Sequence, residues 1–285
     1  MKKEKSDIVY HYCKLEGFLS IIQNASLWVS DIRKSNDELE CIYGRDLIKN
    51  RIEKEIVADA EAMHAWKMGY EMNPDLYDSM LTYVACFSEK EDCLSQWRGY
   101  ADDGKGMAIG FDKKVLEQLS KLRKFNLHFA KVIYDKNEQE RYVEQVVKEN
   151  LKRMEETGVG HAALELNSNY RMEFSLYKHP SFEEEEEWRL VLNSKPYGRE
   201  MKVGNITFSE PKYRVANGKL ISYRELCFSN IKETFVKEIW IGPKADVELR
   251  DIMQVLERYQ YYNNTENGYS LKEPILITRS SSSYR

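Results

Sequence analysis

The apolar residues of this chain arrive in short bursts, and that limits what it can fold into. No apolar run approaches the ~20 residues a bilayer-spanning helix needs. The segments Asp7-Ile-Val-Tyr-His-Tyr12, Leu27-Trp-Val-Ser30, Thr82 to Ser88, Gly106 to Phe111 and His128 to Tyr134 are rich in β-branched and aromatic residues and predict strands. Leu15, Phe18, Leu19 and Ile22 fall at helical spacing, as do Val143, Val146, Val147, Leu151 and Met154. From Trp188 onward the character is mostly β: Tyr213-Arg-Val-Ala216 and Lys219-Leu-Ile-Ser-Tyr223 flank Asn217-Gly218, a hairpin signal. Val236 to Ile241 predicts a strand stopped by Gly242-Pro243, then a helix through Leu249, Ile252, Met253 and Leu256, then a strand at 275–278. Short strands around helical excursions predict an α+β fold rather than a βαβ repeat.

No repeat or Pro/Gly/Ser linker divides the 285 residues, so we expect a single domain over 1–285 with helical insertions around 38–80 and 137–177. The helical pattern runs on over 161–177. Lys and Arg number 43 against 47 Asp and Glu, a net charge of −4, which argues against non-specific coating of nucleic acid. Cys13, Cys41, Cys86, Cys93 and Cys227 form no C-x-x-C pair and no zinc-finger spacing with histidine, so reduced thiols and no metal are expected. The start of the chain lacks a signal-peptide apolar region, and the expected setting is cytoplasmic, away from membrane.

Three constellations carry possible chemistry. Five glutamates, Glu183 to Glu187, lead into Trp188-Arg-Leu-Val-Leu192. Such a run is ordinarily a solvated face. If 185–192 is extended, however, Trp188, Leu190 and Leu192 share one face, and Glu185, Glu187, Arg189 and Val191 the other. His11 points opposite to Tyr10 and Tyr12, either as a structural residue or as a partner for a ligand hydroxyl. Ser88, Gln96, Trp97, Arg98 and Tyr100 bring hydroxyl, amide, guanidinium and aromatic groups close to the glycines Gly104 and Gly106, the parts that hold a nucleotide-like ligand. Asn36, in Asn36-Asp-Glu-Leu-Glu40, is a weaker candidate that also suits a helix N-cap. G-x-S-x-G and H-E-x-x-H are absent.

The stretches Val9 to Ser30, Ser35 to Glu40, Cys86-Phe-Ser-Glu-Lys-Glu-Asp-Cys-Leu-Ser-Gln-Trp-Arg-Gly-Tyr-Ala101, Lys178-His-Pro-Ser-Phe-Glu-Glu-Glu-Glu-Glu-Trp-Arg189, Ile241-Gly-Pro243 and Tyr284-Arg285 together resemble a widespread bacterial family labelled as a domain of unknown function. That family is in turn similar, more weakly, to ADP-ribosyltransferases, especially toxins that modify nucleic acid bases. The resemblance implies an ADP-ribosyltransferase-like split mixed/antiparallel sheet and NAD as substrate. It implies Glu187 as the catalytic glutamate that stabilises an oxocarbenium-like transition state, with Glu185 beside it in an E-x-E pair. In that frame Glu187 also acts as a general base whose pKa is raised by Glu185. His11 holds a ribose hydroxyl, Tyr12 or Tyr100 stacks on nicotinamide, and Arg98 meets the pyrophosphate. The family's middle motif has only Phe87, Ser88 and Tyr100 as candidates here.

The expected activity is therefore transfer of ADP-ribose from NAD to RNA or DNA by a toxin or anti-phage effector, with an antitoxin protein as a further partner. NAD glycohydrolysis at the same site and a non-enzymatic binding module are the alternatives. Lys121, Arg123, Lys124, Lys131, Lys148, Lys152 and Arg153 are the expected basic face around the acceptor groove.

Overall fold

The computed structural model describes residues 7–34, 43–44, 46–47, 50–51, 53–54, 81–121, 126–157, 175–195, 198–261, 264–265, 268–269 and 275–284. Asn36 and most of the expected 38–80 insertion lie outside them, as do 161–174.

Strand β1 (Ile8–Cys13) leads into α1 (Leu15–Asn24) and β2 (Ser26–Asp31). Helix α1 buries Phe18, Ile21 and Ile22 and leaves Leu15 and Leu19 exposed. Its core face is thus turned by part of a turn from the one the spacing suggests. Next come β3 (Leu81–Ser88), α2 (Leu94–Tyr100), β4 (Met107–Asp112), α3 (Lys113–Ser120), β5 (Leu127–Lys131) and α4 (Lys136–Thr157). The β-rich part holds β6 (Glu187–Ser194), β7 (Met201–Val203), β8 (Ile206–Phe208), β9 (Lys212–Ala216) and β10 (Lys219–Cys227). After α5 (Lys232–Phe235) come β11 (Val236–Ile241), α6 (Leu249–Arg258), the short pair β12 (Asn264–Thr265) and β13 (Gly268–Tyr269), and β14 (Leu276–Arg279).

These elements make a mixed α+β fold with one large open sheet, antiparallel except where β11 runs parallel to β14. The Asn217-Gly218 turn joins β9 to β10 with both residues at positive φ (50° and 73°), as a tight hairpin turn requires. Residues 175–177 are not helical: Tyr177 bridges to Ile133 instead.

The sheet's pairing positions the site. β1 pairs with β4 along its whole length, from Ile8↔Asp112 to Cys13↔Met107, but meets β3 only at Tyr10↔Ser88. β2 meets β3 nearer its other end, at Ser30↔Val84 and Asp31↔Tyr83. On its opposite edge β3 pairs with β6 throughout, from Leu81↔Ser194 to Ser88↔Glu187. So β1 and β2 diverge along one edge of β3 and leave an opening between them. The main core lies on the face of Val9, Tyr83, Phe87, Phe111, Leu190, Leu192, Leu226 and Ile239. A second cluster of Tyr10, Tyr12, Trp97, Ala101 and Ala108 clamps α2 to β1 and β4. Gly106 permits that crossing, because a Cβ there would lie 2.1 Å from the Cys13 carbonyl oxygen.

The glutamate run does not form an extended strand from 185. Pro180–Glu185 is a 3-10 turn, with the His179 ring accepting from the Ser181 N–H, and Glu186 takes a left-handed conformation (φ 42°) before β6 begins at Glu187. The two-residue alternation therefore holds from 187 onward and fails at 185.

Candidate functional site

A cleft of about 360 Å³ opens where β1 and β2 part. His11, Cys86, Tyr100 and Arg189 line one part of it, and Trp28, Asp31, Lys34, Arg214, Asn217 and Lys219 another. This volume falls in the range of small-ligand pockets.

His11 is held by the divergence of the strands. Its Nδ1 lies 2.9 Å from the Cys86 carbonyl oxygen, which can only accept, so Nδ1 carries the proton and Nε2 is left as an acceptor. Burial lowers the His11 pKa, opposed by that hydrogen bond, and the ring is neutral at pH 7. Its edge packs on Phe87, away from Tyr10 and Tyr12, as the strand alternation predicts.

On the face of the β3–β6 ladder opposite the main core lies a buried charge network that reaches the cleft through Arg189. Arg189 grips the Glu187 carboxylate at two points, Nε to Oε1 at 2.7 Å and Nη2 to Oε2 at 3.0 Å. Lys178 Nζ donates to Glu187 Oε2 at 3.1 Å and to Glu185 Oε2 at 2.6 Å. The third anchor is Arg189 Nη1 to the Ser175 carbonyl at 2.6 Å. All four side chains are buried. Glu185 and Glu187 do come together, but through the 3-10 turn and a shared lysine rather than through strand parity.

This network reverses the expected proton chemistry of Glu187. Burial pushes its pKa upward, but Arg189 and Lys178, aided by the Cys86 thiol, hold it down at about 2. Glu187 is therefore a fixed anion and a poor general base near neutral pH. The carboxyl with a raised pKa, expected from its proximity to Glu185, does not exist here, because two cations outweigh one neighbouring anion. Burial also raises the Tyr100 phenol, which lies in the field of Lys178, Glu185, Cys86 and Glu187. Tyr100 thus connects the cleft to the network. The Tyr134 hydroxyl, on the network's other side, accepts from the Glu187 N–H at 3.1 Å.

The remaining sequence candidates take other places. Tyr12 is buried, donates to the Lys90 carbonyl at 2.7 Å, accepts from the Cys93 N–H at 3.0 Å and packs edge-on against Trp97. Trp97 is fully buried with its Nε1 on Asp92. Neither lines the cleft, because both are consumed in fixing α2. Gln96 is buried in the same helix and Arg98 lies over the Tyr284 ring, 4.5 Å from its centre. Ser88 donates to the Glu185 carbonyl at 2.7 Å and accepts from the Lys90 N–H, so its hydroxyl ties β3 to the glutamate turn. Asn36 lies outside the described residues. Glu183 and Glu184 are exposed, as expected.

The expected basic face is divided. Lys131 is paired with Glu89 at 2.7 Å and Lys148 with Glu144 at 2.6 Å. Lys121 and Lys152 are exposed, while Arg123, Lys124 and the Arg153 side chain lie outside the description. Sequence reading placed Lys178 at the head of the glutamate motif but gave it no role, and it gave none to the cleft residues Trp28 and Arg214. It did place Arg189 on the face of Glu187. Among the described residues no three of His, Cys, Asp and Glu gather as metal ligands.

Residues 96–190 match the family described as "Protein of unknown function (DUF2971)". The matched stretch runs from α2 into β6 and contains Tyr100, Lys178, Glu185, Glu187 and Arg189, while His11 and the cleft wall of Trp28 and Arg214 lie outside it. No curated protein and no solved structure matches the chain.

Proposed function

We propose that this protein is an NAD-dependent ADP-ribosyltransferase that modifies a nucleic acid base, acting as a bacterial toxin or anti-phage effector held in check by a protein antitoxin. One observation carries the reading. The divergence of β1 and β2 opens a cleft that presents His11 at its rim, while a permanently ionised Glu187 stands on the strand paired with the other edge of β3.

The chemistry follows from charge. When the nicotinamide–ribose bond breaks, its electron pair leaves with nicotinamide and C1′ of the ribose becomes positive. A fixed carboxylate in a water-poor site lowers the energy of that cation without reorganising. Arg189 and Lys178 temper the field of Glu187 but keep it ionised and rigid. His11 Nε2, left free to accept by the tautomer, takes a hydrogen bond from a ribose hydroxyl. Tyr100 offers a half-exposed ring for nicotinamide, a role that Tyr12 cannot fill from the core. Glu185, steadied by Lys178, orients the acceptor. The acceptor nitrogen or oxygen then bonds C1′ and loses its proton to water.

The test is nicotinamide release from NAD by the purified protein, alone and with cellular RNA, DNA or protein. Release that depends on nucleic acid, with radiolabelled ADP-ribose retained on it, supports the proposal. Equal release without any acceptor indicates glycohydrolysis, and no release under any condition overturns the enzymatic reading.

A further inference from the structure

The cleft's second wall has a different chemistry from the part around His11. Trp28 is 40% exposed, with its ring packed on Tyr223 at 4.7 Å between centroids. The Arg214 guanidinium lies over the same indole, 5.2 Å from its centre, and its Nε is buried with no hydrogen-bond partner. Lys34 and Lys219 line the same wall. The acid there, Asp31, is gripped by Arg33 through Nε and Nη2 at 3.1 and 2.8 Å, so it does not neutralise the wall.

We infer that this wall is a binding subsite for single-stranded nucleic acid, with Arg214 and the two lysines on a phosphodiester and a base laid against the Trp28–Arg214 stack. The inference rests on the transferase reading for its role as the acceptor subsite. A guanidinium seated over an aromatic ring loses little freedom when it presents paired N–H donors to phosphate, unlike a mobile lysine. Its planar face and the exposed indole give sequence-tolerant stacking, and neighbouring lysines add charge along a backbone. Arg214 and Lys219 of the wall sit on the β9–β10 hairpin, whose outer residues Tyr213, Val215 and Leu220 are also exposed, so a long strand can enter and leave past it. A duplex keeps its bases stacked on one another and offers none to this surface. The arrangement replaces the basic face expected around Lys131 and Lys148, whose charges are already spent on glutamates.

The test is fluorescence anisotropy of labelled single strands of about ten nucleotides, RNA and DNA in separate arms, with a duplex of the same sequence and with ADP-ribose as competitor. NAD is left out, so strand binding is scored apart from nicotinamide release. The wild type is expected to prefer single strands over duplex. Trp28→Ala and Arg214→Ala each weaken strand binding by about tenfold or more, as loss of one stacking or phosphate contact does. Trp28→Phe restores part of the loss and Arg214→Lys little of it. Arg214→Ala also lowers the slope of log affinity against log salt by about one. Lys34→Glu, a reversal on an exposed side chain, gives a weaker version of the same effect should Trp28→Ala fail to fold. Wild-type protein that binds no strand, variants that bind as well as wild type, or full displacement by ADP-ribose would each overturn the inference, the last by assigning the wall to the dinucleotide. Strand binding without nicotinamide release under any condition would leave the wall standing and remove the transferase reading instead.

Discussion

Two charged regions, one reaching the cleft only through Arg189 and the other lining it directly, are built on opposite principles. The network of Lys178, Glu185, Glu187 and Arg189 is buried, balanced at two charges of each sign, and bound through five short contacts. The wall of Trp28, Lys34, Arg214 and Lys219 is cationic and partly open to solvent, and its donors are not all used. The first arrangement fixes atoms: burying ions is tolerable only when each meets its counter-charge in good geometry. The second keeps interaction capacity in reserve, which is what a surface needs if its partner comes from outside. Rigidity and receptivity are thus separated along one cleft.

The sharpest way to break this contrast is to unbalance the network. Glu187→Gln keeps the shape but strands Arg189 and Lys178 beside a neutral amide, so we expect a loss of about 3–5 kcal/mol in stability, read by denaturant unfolding. Nicotinamide release should fall by about 10²–10³ under conditions where the variant remains folded. Gln leaves no cavity, so the cost arises from the stranded charges and not from lost packing. Glu187→Gln combined with Lys178→Met removes one charge of each sign and should recover part of the stability without recovering activity. A double variant no more stable than the single one would show that the network is not charge-balanced as described.

A smaller effect separates the cleft rim from the network. His11→Ala deletes one hydrogen bond to a carbonyl and should cost about 1 kcal/mol of stability, while weakening NAD binding measurably by calorimetry. Global unfolding of His11→Ala would make that ring a structural strut.

Acid should act on stability in a defined order. The folded-state pKa values of His11 and His128 are both lowered by burial from 6.5, so the unfolded chain takes up their protons first. Their contribution is complete above pH 6.5 and is lost as pH falls below it. Glu187, held at about 2 against an ordinary 4.5, adds a second loss as pH drops through that interval. Urea midpoints at pH 8, 6 and 4.5 should therefore decline steadily, and a midpoint that rises on acidification from pH 8 to 6 would contradict the lowered pKa values of these histidines. The smallest expected change belongs to the wall: Lys34→Glu should move stability by no more than about 0.5 kcal/mol, since it alters an exposed side chain.

Much of the frame was legible because it rests on local periodicity. β1, β2, β3, β4, β11 and α6 stand close to where β-branched runs and helical spacing place them, and Asn217-Gly218 makes its hairpin because both residues tolerate positive φ. Alternation along β6 put Trp188, Leu190 and Leu192 on one face and Glu187 and Arg189 on the other, since a pleated strand has only two faces. It overreached by two residues at Glu185, where Pro180 starts a 3-10 turn and Glu186 reverses the chain.

By itself, then, the sequence determined the α+β character, the edges of most elements and the facing of side chains within each strand. Tertiary structure decided everything that depends on which strand lies beside which. That Tyr12 and Trp97 are spent on holding α2 follows from β1 passing beneath that helix. Lys178 joins Glu185 to Glu187 because a parallel bridge between Ile133 and Tyr177 delivers it there. Trp28 meets Arg214 because β10 pairs with both β2 and β9, across nearly two hundred residues of chain. Propensity and periodicity act over a few residues, whereas a charge finds its partner through space, and the balance between desolvation and pairing that fixes Glu187 as an anion exists only once the chain has folded.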